Sequence, residues 1–294
     1  MESTTVTPNG YGFAPVHAAI RRYGDSNILP GVSSAVLVGR DLVDLNCVGW
    51  ADKERDVAMR SDHLFRVFSN TKLITTCAAL LLLEEGRFQL DDPIEQFIPQ
   101  LGNRRVLRSG AATLDDTEAA HGSITIRHLL SHSSGLSYGL LDPGTTIFKA
   151  YNERKVLNPA TTLADMMDTL TDLPLVFHPG TGWEYSVATD TGFFVTEEKR
   201  PRLVAYYAGA DLMDPMKPGL TRSDDSPYPG AYLSAVPRLS GGGGLISSLP
   251  DMLALLRSLL PGGFNAAQAR NNFADDDQST SGRRVHPVPP VRRD

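Results

Sequence analysis

The chain has 294 residues, of which 41% are hydrophobic and 21% charged, with a formal net charge of −6. It can bury a sizeable core as one large domain or two intergrown ones, and its acidic balance argues against a nucleic-acid partner. No apolar run approaches the roughly 18 residues needed to cross a bilayer, and the polar start, Met1 to Gly10, lacks the basic and apolar regions of a secretory leader. The two cysteines, Cys47 and Cys77, both lie inside apolar patterns. They read as buried free thiols rather than a disulfide framework, which with the missing leader makes a cytoplasmic location the expectation.

Val32 to Val38 and Val43 to Trp50 are apolar, β-rich runs separated by Gly39-Arg40-Asp41-Leu42, the pattern of a hairpin. A helix is expected from about Asn70 to Glu85, stopped by Gly86. Leu73, Ile74, Cys77, Leu80 and Leu81 mark one apolar face, and Ala78, Ala79, Leu82 and Leu83 make most of the remainder apolar too. A helix apolar nearly all round reads as a buried central one. Asp91-Asp92-Pro93 opens a short segment ending at Phe97-Ile98-Pro99, and the polar stretch from Gly102 to Gly122 reads as an exposed loop. Thr125 can cap a short helix through Leu130, with Gly135 ending that region. Thr162-Leu163-Ala164-Asp165 has the form of a capping box before Met166 to Leu170. A glycine run, Gly241 to Gly244, precedes a further helix from Pro250 to Leu260. Strands first and helices through the middle suggest a mixed α/β or α+β architecture.

The chemistry starts at Ser69-Asn70-Thr71-Lys72, where a helix begins. A spacing of three puts the lysine one turn beyond the hydroxyl on the same face. A serine hydroxyl needs a nearby base, and a lysine can serve when desolvation or neighbouring positive charge lowers its pKa. The competing reading is a plain helix N-cap. Tyr185 lies in the Pro-Gly-rich segment His178-Pro179-Gly180-Thr181-Gly182-Trp183-Glu184-Tyr185. A phenol beside cations is a useful proton relay, set against an ordinary half-buried aromatic. His128 and His132 lie four apart and could share a helical face, but Leu129 stands where a zincin glutamate belongs, so polar contacts of a buried turn are the better reading. The glycine run lacks both phosphate-loop and dinucleotide spacing and reads as a tight turn or a close backbone approach. No Gly-x-Ser-x-Gly elbow is present, which argues against an α/β-hydrolase.

The order of these segments carries a resemblance. Phe65-Arg66-Val67-Phe68-Ser69-Asn70-Thr71-Lys72, Glu85 to Ile94, Ile124 to Leu136 and Pro179 to Ser186 together resemble the serine β-lactamase-related family. That family includes class C β-lactamases, D-alanyl-D-alanine carboxypeptidases and family VIII esterases. The likeness runs from roughly Gly12 to Gly262. It implies an α+β fold, an α/β sandwich with an inserted helical region, and a cleft between them. The expected division is a hydrolase domain over 12–263, with an α/β part from 12–72 and 236–263 and a mostly helical part from 73–235. The stretch 264–294, with Asp275-Asp276-Asp277 and Pro287, Pro289 and Pro290, reads as a disordered tail. The resemblance makes Ser69 the acylated nucleophile, Lys72 a base or electrostatic helper and Tyr185 the proton relay. The substrate would be a small-molecule ester or amide, with no metal, no organic cofactor, no nucleic acid and no membrane involved.

Three departures bear on which family activity is expected. Tyr185-Ser186-Val187 stands where β-lactamases and peptidases have Tyr-x-Asn, which favours small esters over β-lactams or peptides. Ala188-Thr189-Asp190 runs straight into Thr191-Gly192, as an internal deletion would leave it. The closing strand motif is absent, His286-Pro287-Val288 being no substitute, and the tail offers no source for the strands that complete the sheet. The leading expectation is a carboxylesterase for short-chain esters. The alternatives are β-lactamase or penicillin-binding activity through the same residues, and a catalytically silent paralogue.

Overall fold

The computed structural model describes residues 12–139, 143–185, 194–211, 213–224 and 231–260, together with the backbone of 4–6. The polar start contributes a short strand, β1 (Thr4–Val6), followed by helix α1 (Ala14–Asp25) and the hairpin β2 (Gly31–Val38) and β3 (Asp41–Asp52). The hairpin is as expected, but its turn is tighter, closing at Gly39-Arg40. β3 lies between β1 and β2, antiparallel to both, and also pairs with β4 (Val57–Ala58). A buried carboxylate ties α1 to this sheet, since His17 Nε2 lies 2.8 Å from Asp44 Oδ2 on β3.

Strand β5 (Leu64–Arg66) leads through a 3-10 turn, Phe68–Asn70, into helix α2 (Thr71–Glu84). Gly86, at φ +70°, ends that helix as its sequence suggests. The expectation that α2 is buried fails. Among the described residues only Thr71 of this helix is fully buried, while Leu73, Leu80 and Leu82 are 38%, 42% and 45% exposed. An all-round apolar composition reports how much surface a helix could bury, not how much its neighbours cover. Cys77 is accordingly half-buried, whereas Cys47 is buried; both are free thiols.

The stretch read as a polar loop holds a hairpin, β6 (Arg105–Leu107) against β7 (Thr117–Ala119), with Val106 buried. Next come α3 (Ile126–Leu130), capped by Thr125, α4 (Thr146–Glu153) and α5 (Leu163–Thr171). The Thr162–Asp165 capping box is formed as expected. A second small hairpin, β8 (Tyr207–Gly209) and β9 (Leu220–Arg222), precedes β10 (Ile246–Ser248) and α6 (Leu249–Ser258). β10 pairs antiparallel with β5, Ile246 opposite Arg66. The expectations for 186–192, for the 264–294 tail and for His286-Pro287-Val288 fall outside the described residues. No helix among the described residues is long and apolar enough to cross a membrane.

The main core sits in the middle of the chain, where Ile94, Val106, Ile124, Leu136, Tyr151, Met166, Leu170 and Leu175 pack together. Arg104 is buried there, donating to Leu170 O and Thr171 O at the end of α5 and to Leu173 O just beyond it. It thereby satisfies carbonyls that a helix terminus leaves without partners. The core beside the sheet is smaller, centred on Cys47, Ala51 and Met59.

The β8–β9 hairpin is bound to the sheet by charge. Arg222 holds buried Asp52 in a bidentate pair at 2.8 and 3.0 Å, and also contacts Glu54 and Asp224. The Arg222 hydrogen bond lowers the Asp52 pKa against the opposing effect of burial. An Asp whose folded pKa is depressed stabilises above its unfolded pKa of about 3.9, and that contribution disappears as pH falls through the folded value. Asp52→Asn should therefore cost about 2–3 kcal/mol at neutral pH. Urea titrations across pH should show the gap to wild type closing as pH drops below about 4.

Candidate active site

Ser69 lies in the 3-10 turn ahead of α2, and Lys72 follows in the first turn of the helix. The residue before the serine, Phe68, adopts φ +41°, a left-handed conformation rare for a bulky side chain. Packing holds it there. The Phe68 ring lies 5.6 Å from Tyr206 and 6.1 Å from Tyr232, and the Arg66 guanidinium stands over both tyrosines. Backbone strain of this kind costs of order 1–3 kcal/mol and persists only where surroundings impose it.

The glycine run supplies the opposite wall. Lys72 Nζ donates to Gly242 O, Thr75 Oγ1 donates to Gly241 O at 3.0 Å, and Leu245 N donates to the buried Thr71 Oγ1 at 3.1 Å. Tyr232 Oη donates to Gly243 O at 2.8 Å. The run thus presents its carbonyls to side chains of α2 and to Tyr232.

Tyr185 arrives from a separate segment, positioned through two glycines. Gly135 has φ +82°, and a Cβ there would meet Phe177 O at 2.3 Å. The contact lets Val176 N donate to Gly135 O. Gly180, also at φ +82°, sits over the His128 ring and donates its N–H to Ser133 O at 2.8 Å. Glu184 N then bonds His132 O at 2.9 Å, and the Glu184 carboxylate accepts from Ser137 Oγ. These bonds deliver Tyr185 over α2. Lys72 Nζ lies 4.5 Å from the Tyr185 ring centre, and Lys72 and Ser69 are both near enough to act on the ionisation of the phenol.

Electrostatics acts on the phenol from both directions. Partial burial raises its pKa, while hydrogen bonds from Lys72 and Ser69 and the charge of Lys72 lower it; the lowering prevails. The His132 ring lies tilted against Tyr185 at 4.8 Å, and its own pKa is lowered by burial and then by Lys72. Tyr138 packs edge-on to Tyr185 at 5.7 Å, its pKa raised by burial and by Tyr185. The three residues named from sequence, Ser69, Lys72 and Tyr185, are therefore gathered in one place.

His128 and His132 do not form a pair on a helix. His128 Nδ1 accepts from Thr125 N in the cap of α3, whereas His132 lies beyond that helix at φ +57°. Sequence reasoning places Tyr138 only within an unranked cleft-lining stretch, Leu136 to Thr146. A lone aromatic carries no spacing signal, and only the fold brings it beside Tyr185.

An exposed serine at a helix start, a lysine one turn on and a phenol from a separate loop complete the picture. The architecture around them is β-lactamase/transpeptidase-like. It superposes on EstCE1, described as a hydrolase with promiscuous acyltransferase activity, with TM-score 0.69 at 21% identity over 85% of this chain and 72% of that one. The chain belongs to the Beta-lactamase family, whose model matches residues 16–190. Protein Rv1367c of Mycobacterium tuberculosis is 32% identical over 277 residues, covering 84% of this chain and 66% of that protein. Lovastatin esterase of Penicillium rubens is 32% identical over 231 residues, covering 68% of this chain and 55% of that enzyme. The chain thus spans between about half and two thirds of the length of these two relatives.

If Lys72 holds the phenol down, removing its charge should release it. NMR of protein carrying 13C-labelled tyrosine should give one resonance, absent in Tyr185→Phe, that titrates below the usual tyrosine range. In Lys72→Met that titration should move upward.

Proposed function

We propose that this protein is a serine hydrolase of the esterase type that works through an acyl-enzyme on Ser69. The observation that carries the reading is the convergence of three side chains from separate places, with exposed Ser69 in the turn before α2, Lys72 one turn on, and the Tyr185 ring centre 4.5 Å from Lys72 Nζ. As Ser69 Oγ attacks the ester carbonyl, Tyr185 accepts its proton, and the positive charge of Lys72 stabilises the phenolate that receives it. The carbonyl oxygen becomes an oxyanion, for which the Ser69 N–H at the start of α2 is one donor. Tyr185 then returns the proton to the leaving alcohol. Water, deprotonated in turn by Tyr185, cleaves the acyl-enzyme and regenerates Ser69. Every atom that moves a proton in this sequence belongs to Ser69, Lys72, Tyr185 or the reactants, so the scheme calls for no metal and no organic cofactor.

The substrate class follows from the same cluster and from the relatives. Tyr138 and His132 pack against Tyr185, and Trp183, 67% exposed, packs edge-on to His132 and extends the aromatic surface. That surface suits the acyl or alcohol part of a small apolar ester. The name of the Penicillium rubens relative, an esterase, points the same way. β-Lactam hydrolysis would use the same nucleophile and serves as the comparison.

Hydrolysis of a nitrophenyl short-chain ester should exceed that of a chromogenic cephalosporin. A fluorophosphonate probe should add one adduct by intact mass, mapping to Ser69 and missing in Ser69→Ala. Tyr185→Phe should lower kcat about 10²- to 10⁴-fold, the usual contribution of a positioned proton-transfer group. A folded chain without a Ser69 adduct would remove the enzyme reading in favour of a catalytically silent paralogue.

A further inference from the structure

We propose that Glu118, His121 and His178 form a binding site for a divalent transition-metal ion of the zinc type, and that the bound ion pins the start of the loop that ends at Tyr185. The site is separate from the Ser69 chemistry and does not depend on which reaction that serine performs. Glu118 lies on β7, His121 just beyond it, and His178 at the head of the loop. One donor atom from each, two imidazole nitrogens and a carboxylate oxygen, falls within 4.8 Å of the others. A tetrahedral zinc ion with bonds of about 2.0–2.2 Å needs its donors roughly 3.3–3.5 Å apart. Side-chain rotation alone can close that difference. Two histidines and a carboxylate, with a fourth position left to water, form a donor set that zinc accepts.

The surroundings are partly arranged for an ion. The His178 side chain is only 16% exposed, and its Nε2 faces Glu118 Oε1 at 3.1 Å. Arg108 lies 3.5 Å from the other oxygen, Oε2, and leaves Oε1 turned to the imidazole. Glu118 and His178 also border a groove of about 630 Å³ that gives an ion entry and room for its water.

Binding requires two adjustments. The His121 and His178 rings are stacked at 3.6 Å and within 8° of parallel, so their in-plane lone pairs cannot both point at one ion. His121 is the exposed member and is the ring that must swing out of the stack. The ion then takes the place of the proton between His178 Nε2 and Glu118. Neutral His178 carries its hydrogen on Nδ1 and gives up the long 3.3 Å contact from the His121 N–H.

The consequence lies along the chain. From His178 the backbone passes through hydrogen-bonded amides at Gly180, Thr181 and Glu184 before reaching Tyr185. An ion joining His178 to the β6–β7 hairpin would fix the near end of that segment, seven residues before the phenol.

The test uses the full chain and zinc chloride. Calorimetric titration should show one equivalent bound with a micromolar or tighter Kd. Glu118→Gln, which keeps the shape of the side chain, and His121→Asn, at an exposed position, should each weaken binding tenfold or more while circular dichroism stays unchanged. No binding up to millimolar zinc, or binding equally tight in both variants, overturns the site. Hydrogen exchange at the Gly180, Thr181 and Glu184 amides should slow several-fold when zinc is present. Unchanged exchange in the zinc-bound protein overturns the pinning role.

Discussion

The structure depends on the docking of the glycine-rich backbone, Gly241 to Gly244, against the first turn of α2. Through it a segment near the end of the described chain reaches the serine and lysine, with Lys72 and its acceptor Gly242 lying 170 positions apart. On the glycine side the contact is made by main-chain carbonyls, those of Gly241, Gly242 and Gly243, which accept from Thr75, Lys72 and Tyr232. β10 continues the same junction by pairing with β5, and Val67 N donates to Leu245 O at 3.0 Å. Strand pairing, the helix start and the lysine position are therefore one mechanical unit. Moving any of them would displace Lys72 from Tyr185.

A second support acts from the far side. The largely helical core carries the Tyr185 segment on a close approach between Gly135 and Phe177, so the phenol is aimed by a well-packed body rather than by its own loop. Between the two supports stands Phe68, whose left-handed backbone is held by rings from Tyr206 and Tyr232. Aromatic packing worth a few kcal/mol can balance strain of that size. The exposed serine follows directly after it.

Much of this was legible in the residues. The hairpin turn at Gly39, the helix stop at Gly86 and the threonine caps at Thr125 and Thr162 are local devices, set by chemistry within a few positions of themselves. Ser69, Lys72 and Tyr185 stand out as candidates because their flanking segments are distinctive in combination. What escaped was non-local. Strands of three residues, such as β6 and β7, are too short for alternation to register, and polar neighbours hid the inward Val106. His132 kept the spacing of a helical partner to His128 while its backbone had already turned left-handed, a conformation histidine tolerates better than most. The exposure of α2 was unreadable for a different reason, because coverage is a property of neighbours.

The uneven distribution of core has a consequence for how the molecule fails. Ser69 and Lys72 are fastened mainly by the junction beside the thinner, sheet-side core, whereas Tyr185 is carried by the larger central one. Local opening free energies follow local packing, so the two halves of the site do not share one stability. Mild denaturant would part the serine from the phenol while most helices stay folded. Under the hydrolase reading proposed above, labelling of Ser69 would then fail ahead of the loss of ellipticity, in a preparation that still looks native by spectroscopy.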